Sequence, residues 1–151
     1  MKYSFEDLEV WKKSREIRNV IFKMVKLFPK IESQRLSDKM IRSSRAIGDM
    51  IAQGFGKVKS KENIKLCQQS RGEAMELLNH LITAHDCNYI EEFTFNKNRE
   101  EITSCIGMIN GYVKYLRESA PDQTNNIDEA QLVREINRSS LEAAESRKVA
   151  G

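Results

Sequence analysis

The feature that most constrains this chain is a helical recurrence of apolar residues, repeated in four long segments with very few helix breakers between them. At ~3.6 residues per turn, such a stripe places its apolar side chains on one face. The first segment spans about Glu6 to Phe28, with Leu8, Trp11, Ile17, Val20, Ile21, Met24 and Phe28 on the stripe. Pro29 stops it, since proline cannot continue a helix. The second spans about Ser33 to Gln53, with Leu36, Met40, Ser44, Ile47 and Ile51 inward. Ser33 is the expected N-cap and Gly54 the expected positive-φ terminator. The third spans about Ser60 to Cys87, with Ile64, Cys67, Arg71, Ala74, Leu77 or Leu78, Leu81 and His85. Asn88 is placed to end it in the left-handed conformation. The fourth spans about Asn96 to Ser119, with Ile102, Cys105, Ile106, Ile109, Tyr112, Val113 and Leu116.

The connections, roughly 29–32, 54–59 and 88–95, are short, which makes consecutive helices antiparallel neighbours. The expected fold is all-α: an antiparallel up-down-up-down four-helix bundle over residues 1–120, followed by a C-terminal tail over 121–151. Pro121 to Asn126 is polar and turn-forming. Beyond it, Ile127, Ala130, Leu132, Val133, Ile136 and Leu141 give a thin stripe. That predicts a fifth, marginal helix over about 127–147, docked or partly disordered, with a frayed end. Seven glycines and two prolines in 151 residues argue against an all-β fold.

No apolar run approaches the ~20 residues of a membrane span. Acidic residues interrupt the N-terminal stretch at once, so a cytoplasmic chain is expected. Cys67, Cys87 and Cys105 are odd in number and contain no CxxC pair, which reads as reduced thiols on helix faces.

Gly54-Phe55-Gly56-Lys57 superficially resembles a phosphate loop, but the glycines follow a helix and Val58 stands where Ser or Thr is needed. It reads as a helix stop and turn. His80 and His85, the only histidines, lie five apart and diverge by ~140° around a helix, the wrong spacing for two metal ligands. No Glu-x-x-His occurs, so a di-iron bundle site is not expected. Arg71, on an apolar stripe, reads as an inter-helix ion pair or a snorkelling side chain, with a binding role as the alternative. Neither a metal, a cofactor nor a catalytic constellation is expected.

Charge is unevenly spread. Residues 1–61 hold 15 Lys and Arg against 7 Asp and Glu, a net of +8. Residues 62–120 carry −3 and residues 121–151 carry −2. A polarised chain implies either an anionic partner or pairing between basic and acidic helices. Candidate phosphate contacts are Lys12, Lys13, Arg18, Arg35, Arg42, Arg45, Lys57, Lys59 and Lys61. Such residues neutralise phosphates without reading bases. There is little aromatic interleaving, since Tyr3, Phe5 and Trp11 read as packing residues.

Several segments, in order, resemble a known family. Phe5-Glu6-Asp7-Leu8-Glu9-Val10-Trp11, Phe28-Pro29-Lys30, Arg42 to Ile47, Ile51 to Lys57, Ser70-Arg71-Gly72, Glu76-Leu77 and Ala84 with Tyr89-Ile90 are similar to the four-helix-bundle proteins encoded in intervening sequences of bacterial large-subunit ribosomal RNA genes. The resemblance covers residues 5–118. Met50 stands where that family usually has Asn, and Gln53 where it has Glu. The resemblance implies a homopentamer and no known catalysis. It extends to the accessory proteins of diversity-generating retroelements, basic pentameric bundles that bind nucleic acid and a reverse transcriptase. The expected function is therefore a non-enzymatic, homo-oligomeric bundle binding RNA or DNA through phosphate contacts. The alternative is a protein–protein scaffold, with Gly107 and Gly111 permitting close helix approach in the assembly.

Overall fold

A computed structural model describes residues 3–119 and 128–150. Five helices make up the fold: α1 (Glu9–Val25), α2 (Leu36–Phe55), α3 (Ser60–Asp86), α4 (Glu92–Glu118) and α5 (Glu129–Ala150), and no strand occurs among the described residues. The contacts run α1 on α2, α2 on α3, α3 on α4, and more thinly α4 back onto α1, with α5 lying chiefly on α4. The turn-forming stretch at Pro121–Asn126, Ile127 and the 120/121 boundary lie outside the described residues.

The apolar stripes become one core. Ile17, Ile21 and Met24 of α1, Leu36, Met40, Ile47 and Ile51 of α2, Cys67, Ala74, Leu77 and Leu81 of α3, and Ile102, Ile109 and Leu116 of α4 are buried together. Burying a Leu- or Ile-sized side chain is worth ~1.5–3 kcal/mol each, so this shared core dominates the stability.

Several local expectations need correcting. The segment before α1 is not continuous helix. Phe5–Asp7 forms a 3-10 turn closed by a capping box on Ser4, and Leu8 is extended before α1 begins. Val20 lies off the stripe and stays 44% exposed, while Val10 and Val25 are buried. Ser33 does not cap α2, because Lys30–Glu32 winds into a 3-10 turn first. The Glu32 carboxylate accepts from the Leu36 N–H at 3.1 Å instead. Gly54 does not terminate α2 in a positive-φ conformation. It is buried inside the helix, where a Cβ would collide with the Asn63 side chain, and the helix runs on to Phe55. Gly54 thus serves close packing of α2 on α3. Asn88 does adopt φ 61°, and the Tyr89 N–H reaches back to the Ala84 carbonyl at 2.9 Å. Such a left-handed residue satisfies carbonyls that the helix end leaves open.

The fifth helix is longer than its thin stripe predicts, and it is seated closely. Val133, Ile136 and Ala144 join the core. Gly111 lets α5 approach until a Cβ there would overlap the Ser139 carbonyl and lie 2.7 Å from the Ser140 Cα. The Ser139 hydroxyl donates to the Gly111 carbonyl at 2.8 Å. Gly107 likewise faces Ala144. The close approach expected of Gly107 and Gly111 between copies is therefore made within one chain. Asn137 reaches the start of α1: its side-chain oxygen accepts from the Glu9 N–H at 2.8 Å and its amide donates to the Asp7 carbonyl at 3.1 Å. Leu8 offers no side-chain cap. A residue on α5 supplies that service across the fold, satisfying an N–H that every helix start leaves orphaned.

Candidate nucleic-acid interface

The turn between α2 and α3 is built by the packing just described. Gly54 brings α2 down onto Asn63 of α3, and the Lys57 N–H closes back onto the Gly54 carbonyl at 3.0 Å. This projects Lys57, Val58 and Lys59 outward, all exposed, with exposed Lys61 in the first turn of α3. The residue before α3 is Lys59, whose side chain makes no capping bond. The first N–H groups of a helix carry a partial positive charge and attract anions. The start of α3, which no side chain caps, is thus preceded by Lys57 and Lys59 and carries Lys61 and Glu62 in its first turn. Among the described residues, no carboxylate lies within ion-pair distance of Lys57, Lys59 or Lys61.

The remaining candidate cations are distributed elsewhere. Arg42 and Arg45 are exposed on α2, facing away from its core stripe as expected. Arg42 pairs with Asp38 at 3.2 Å but keeps 75% of its side chain exposed. Such a surface pair is weak, at ~0.3–0.5 kcal/mol. Arg42 and Arg45 share a groove between α2 and α3 with Lys39, Asp49, Glu73 and Glu76. The Glu73 carboxyl is pushed up by partial burial and by the charge of Glu76. The α2 row therefore faces acids across the groove, and Lys57 shares the lining of a neighbouring cavity with Glu129 of α5.

Arg35 stands at the far end of α2, roughly 30 Å from Lys57 for a helix of this length. On α1, Lys12 pairs with Glu9 at 3.2 Å, and Arg18 is half-buried. Lys13 is committed to the α1–α4 seam, bonding Glu101 at 2.7 Å with Glu16 beside it. Burial alone would lower its pKa, but the hydrogen bond and charge of Glu101 outweigh this and raise it. The nine cations thus form separate groups, of which Lys57, Lys59 and Lys61 are exposed and make no ion pair among the described residues.

The other singled-out residues have structural partners. Arg71 donates to the Asn110 side chain of α4 at 2.9 Å, an inter-helix hydrogen bond in place of the expected ion pair. His80 meets Glu76 at 3.2 Å, and His85 stacks on Phe95 with ring centroids 4.3 Å apart. Among the described residues, no three His, Cys, Asp or Glu side chains gather where they could hold a metal ion. Cys67 and Cys105 are buried, which pushes both thiols up to about 12. Cys87 is exposed. Of the family departures, Met50 is half-buried and Gln53 exposed.

One buried group escaped sequence reasoning. Asn63 donates to the Tyr112 hydroxyl at 2.9 Å, joining α3 to α4, and the Cys67 thiol lies 3.4 Å from the Asn63 oxygen. Tyr112 sits on an apolar stripe, and nothing in its spacing names the partner of its hydroxyl.

Residues 6–111 match the 23S rRNA-intervening sequence protein family. The chain belongs to that family. The match runs from the capping turn before α1 into the last third of α4, so it includes the α2–α3 turn and stops short of α5. No curated protein matches the chain. No described helix is long and apolar enough to cross a membrane.

Proposed function

We propose that this family member is a non-enzymatic, homo-oligomeric bundle that binds nucleic acid through backbone phosphates. In this reading α1 to α4 run antiparallel as the up-down-up-down unit, consistent with their short connections and cyclic contacts. The observation that carries the reading is the α2–α3 turn: Lys57, Lys59 and Lys61 stand exposed around the uncapped start of α3, with no ion pair to a carboxylate among the described residues. Arg42 and Arg45 extend the positive surface along α2. Lys13 is left out of the contact set, because Glu101 holds it.

Homo-oligomerisation is supported by the exposed apolar side chains on the α1–α4 side, and the pentamer is what the family resemblance implies. Leu27 is 85% exposed, Phe93 77% and Val20 44%. Soluble chains seldom leave such neighbours uncovered. A closed ring would present several copies of the lysine turn to one polyanion and multiply its avidity.

Filter binding against RNA and DNA over a salt series tests the reading, together with light scattering of the protein alone and with RNA. Binding that weakens steeply with salt, and a particle mass of five chains, are the expected results. No retention at low ionic strength would overturn the nucleic-acid reading. A scaffold role would instead show as capture of a protein partner that survives nuclease.

A further inference from the structure

The sequence interleaves few aromatics with its lysines, yet the fold brings them together. Beside the α2–α3 turn lies a cavity of about 260 Å³, whose polar lining includes Lys57, Ser60 and Glu129. Phe55 and Tyr115 stand on its walls with Leu132 of α5, and Tyr112 lies behind them. Tyr112 is 0% exposed and accepts a hydrogen bond from Asn63 at 2.9 Å. Tyr115 is fixed in place, since its hydroxyl donates to Glu135 at 2.9 Å.

We infer that this cavity receives one unstacked nucleobase of a single-stranded nucleic acid, whose flanking phosphates lie on Lys57, Lys59 and Lys61. The inference rests on the nucleic-acid reading above and deepens it by naming the strand form. The cavity is smaller than the ~300–1,000 Å³ of a drug-sized site, which suits one planar ring. Aromatic walls accept the π-face of any base. A base inside a duplex is stacked and paired, so it cannot enter without being extruded. Duplexes would therefore bind by the lysines alone.

The test compares a fluorescently labelled single-stranded RNA with a duplex of the same sequence, at fixed salt, in the wild-type chain and in Leu132→Trp and Phe55→Leu. Leu132→Trp fills the cavity and leaves every lysine in place. Phe55→Leu removes one aromatic wall and keeps it apolar, and circular dichroism reports whether either variant stays folded. The single strand is expected to bind about tenfold more tightly than the duplex, the effect of one base stacked on aromatic side chains. Leu132→Trp should abolish that preference without weakening duplex binding, and Phe55→Leu should reduce it. Equal affinity for both forms, or a preference untouched by folded Leu132→Trp, overturns the inference and leaves phosphate binding standing. Binding to neither form overturns both. If a free nucleoside monophosphate occupies the cavity while strand and duplex bind alike, the site belongs to a metabolite and the strand assignment fails.

Discussion

Gly72 and Gly111 are both helix-interior glycines, and their surroundings set opposite consequences for a methyl group. A Cβ on Gly72 meets nothing within 4 Å. Gly72→Ala should raise stability by about 0.5–1 kcal/mol, the usual gain when alanine replaces glycine in an exposed helix. A Cβ on Gly111 meets backbone atoms of Ser139 and Ser140, which cannot rotate away. Gly111→Ala should cost about 2–3 kcal/mol as α5 is pushed off α4. Urea denaturation of the two variants checks both signs, and a neutral Gly111→Ala would contradict the close seating. The buried thiols give a second residue-scale test. Burial raises Cys67 and Cys105 from 9.0 to about 12, and burial followed by Glu135 raises Tyr115 from 10.0 to about 12. The folded state holds these protons while the unfolded chain releases them. Stability from these groups is therefore intact below about pH 9 and is lost as pH rises towards about 12. The denaturation midpoint should fall between pH 8 and pH 10.5, and a constant midpoint would contradict that burial.

Helix by helix, the apolar period was an accurate guide where one face is buried and a poor one at the ends. Leu36, Met40, Ser44, Ile47 and Ile51 on α2 are all inward. The ends depend on tertiary partners that no local rule contains: Glu32 in place of Ser33, Asn63 against Gly54, and Asn137 from the far end of the chain. A clue to the seating of α5 was present in α4. Cys105 to Ile109 is an unbroken buried run, wider than a one-sided stripe requires, because α4 is covered by both the bundle and α5. Asn137→Ala removes both bonds to the start of α1. It should cost about 1–2 kcal/mol and speed amide exchange at Glu9 and its neighbours. Unchanged exchange there would show that α5 does not hold that turn.

Across the whole molecule, the sequence separated a basic half from an acidic one but could not say which cations are free. Lys13 and Lys57 look equivalent in the chain. One is tied to Glu101 in a seam, while the other projects from a turn that Gly54 and Asn63 shape. The aromatic wall beside Lys57 was equally hidden, because Phe55 and Tyr115 are distant in sequence and meet only once α2 and α4 are in place. The most direct test of phosphate binding is the salt dependence of RNA affinity in the wild-type chain and in the triple variant Lys57→Gln, Lys59→Gln, Lys61→Gln. Each phosphate contact on a single strand contributes ~0.7 to the slope of log affinity against log salt. The account predicts a slope shallower by about 2 in the variant, with affinity lost chiefly at low salt. An identical slope in the two proteins would contradict it.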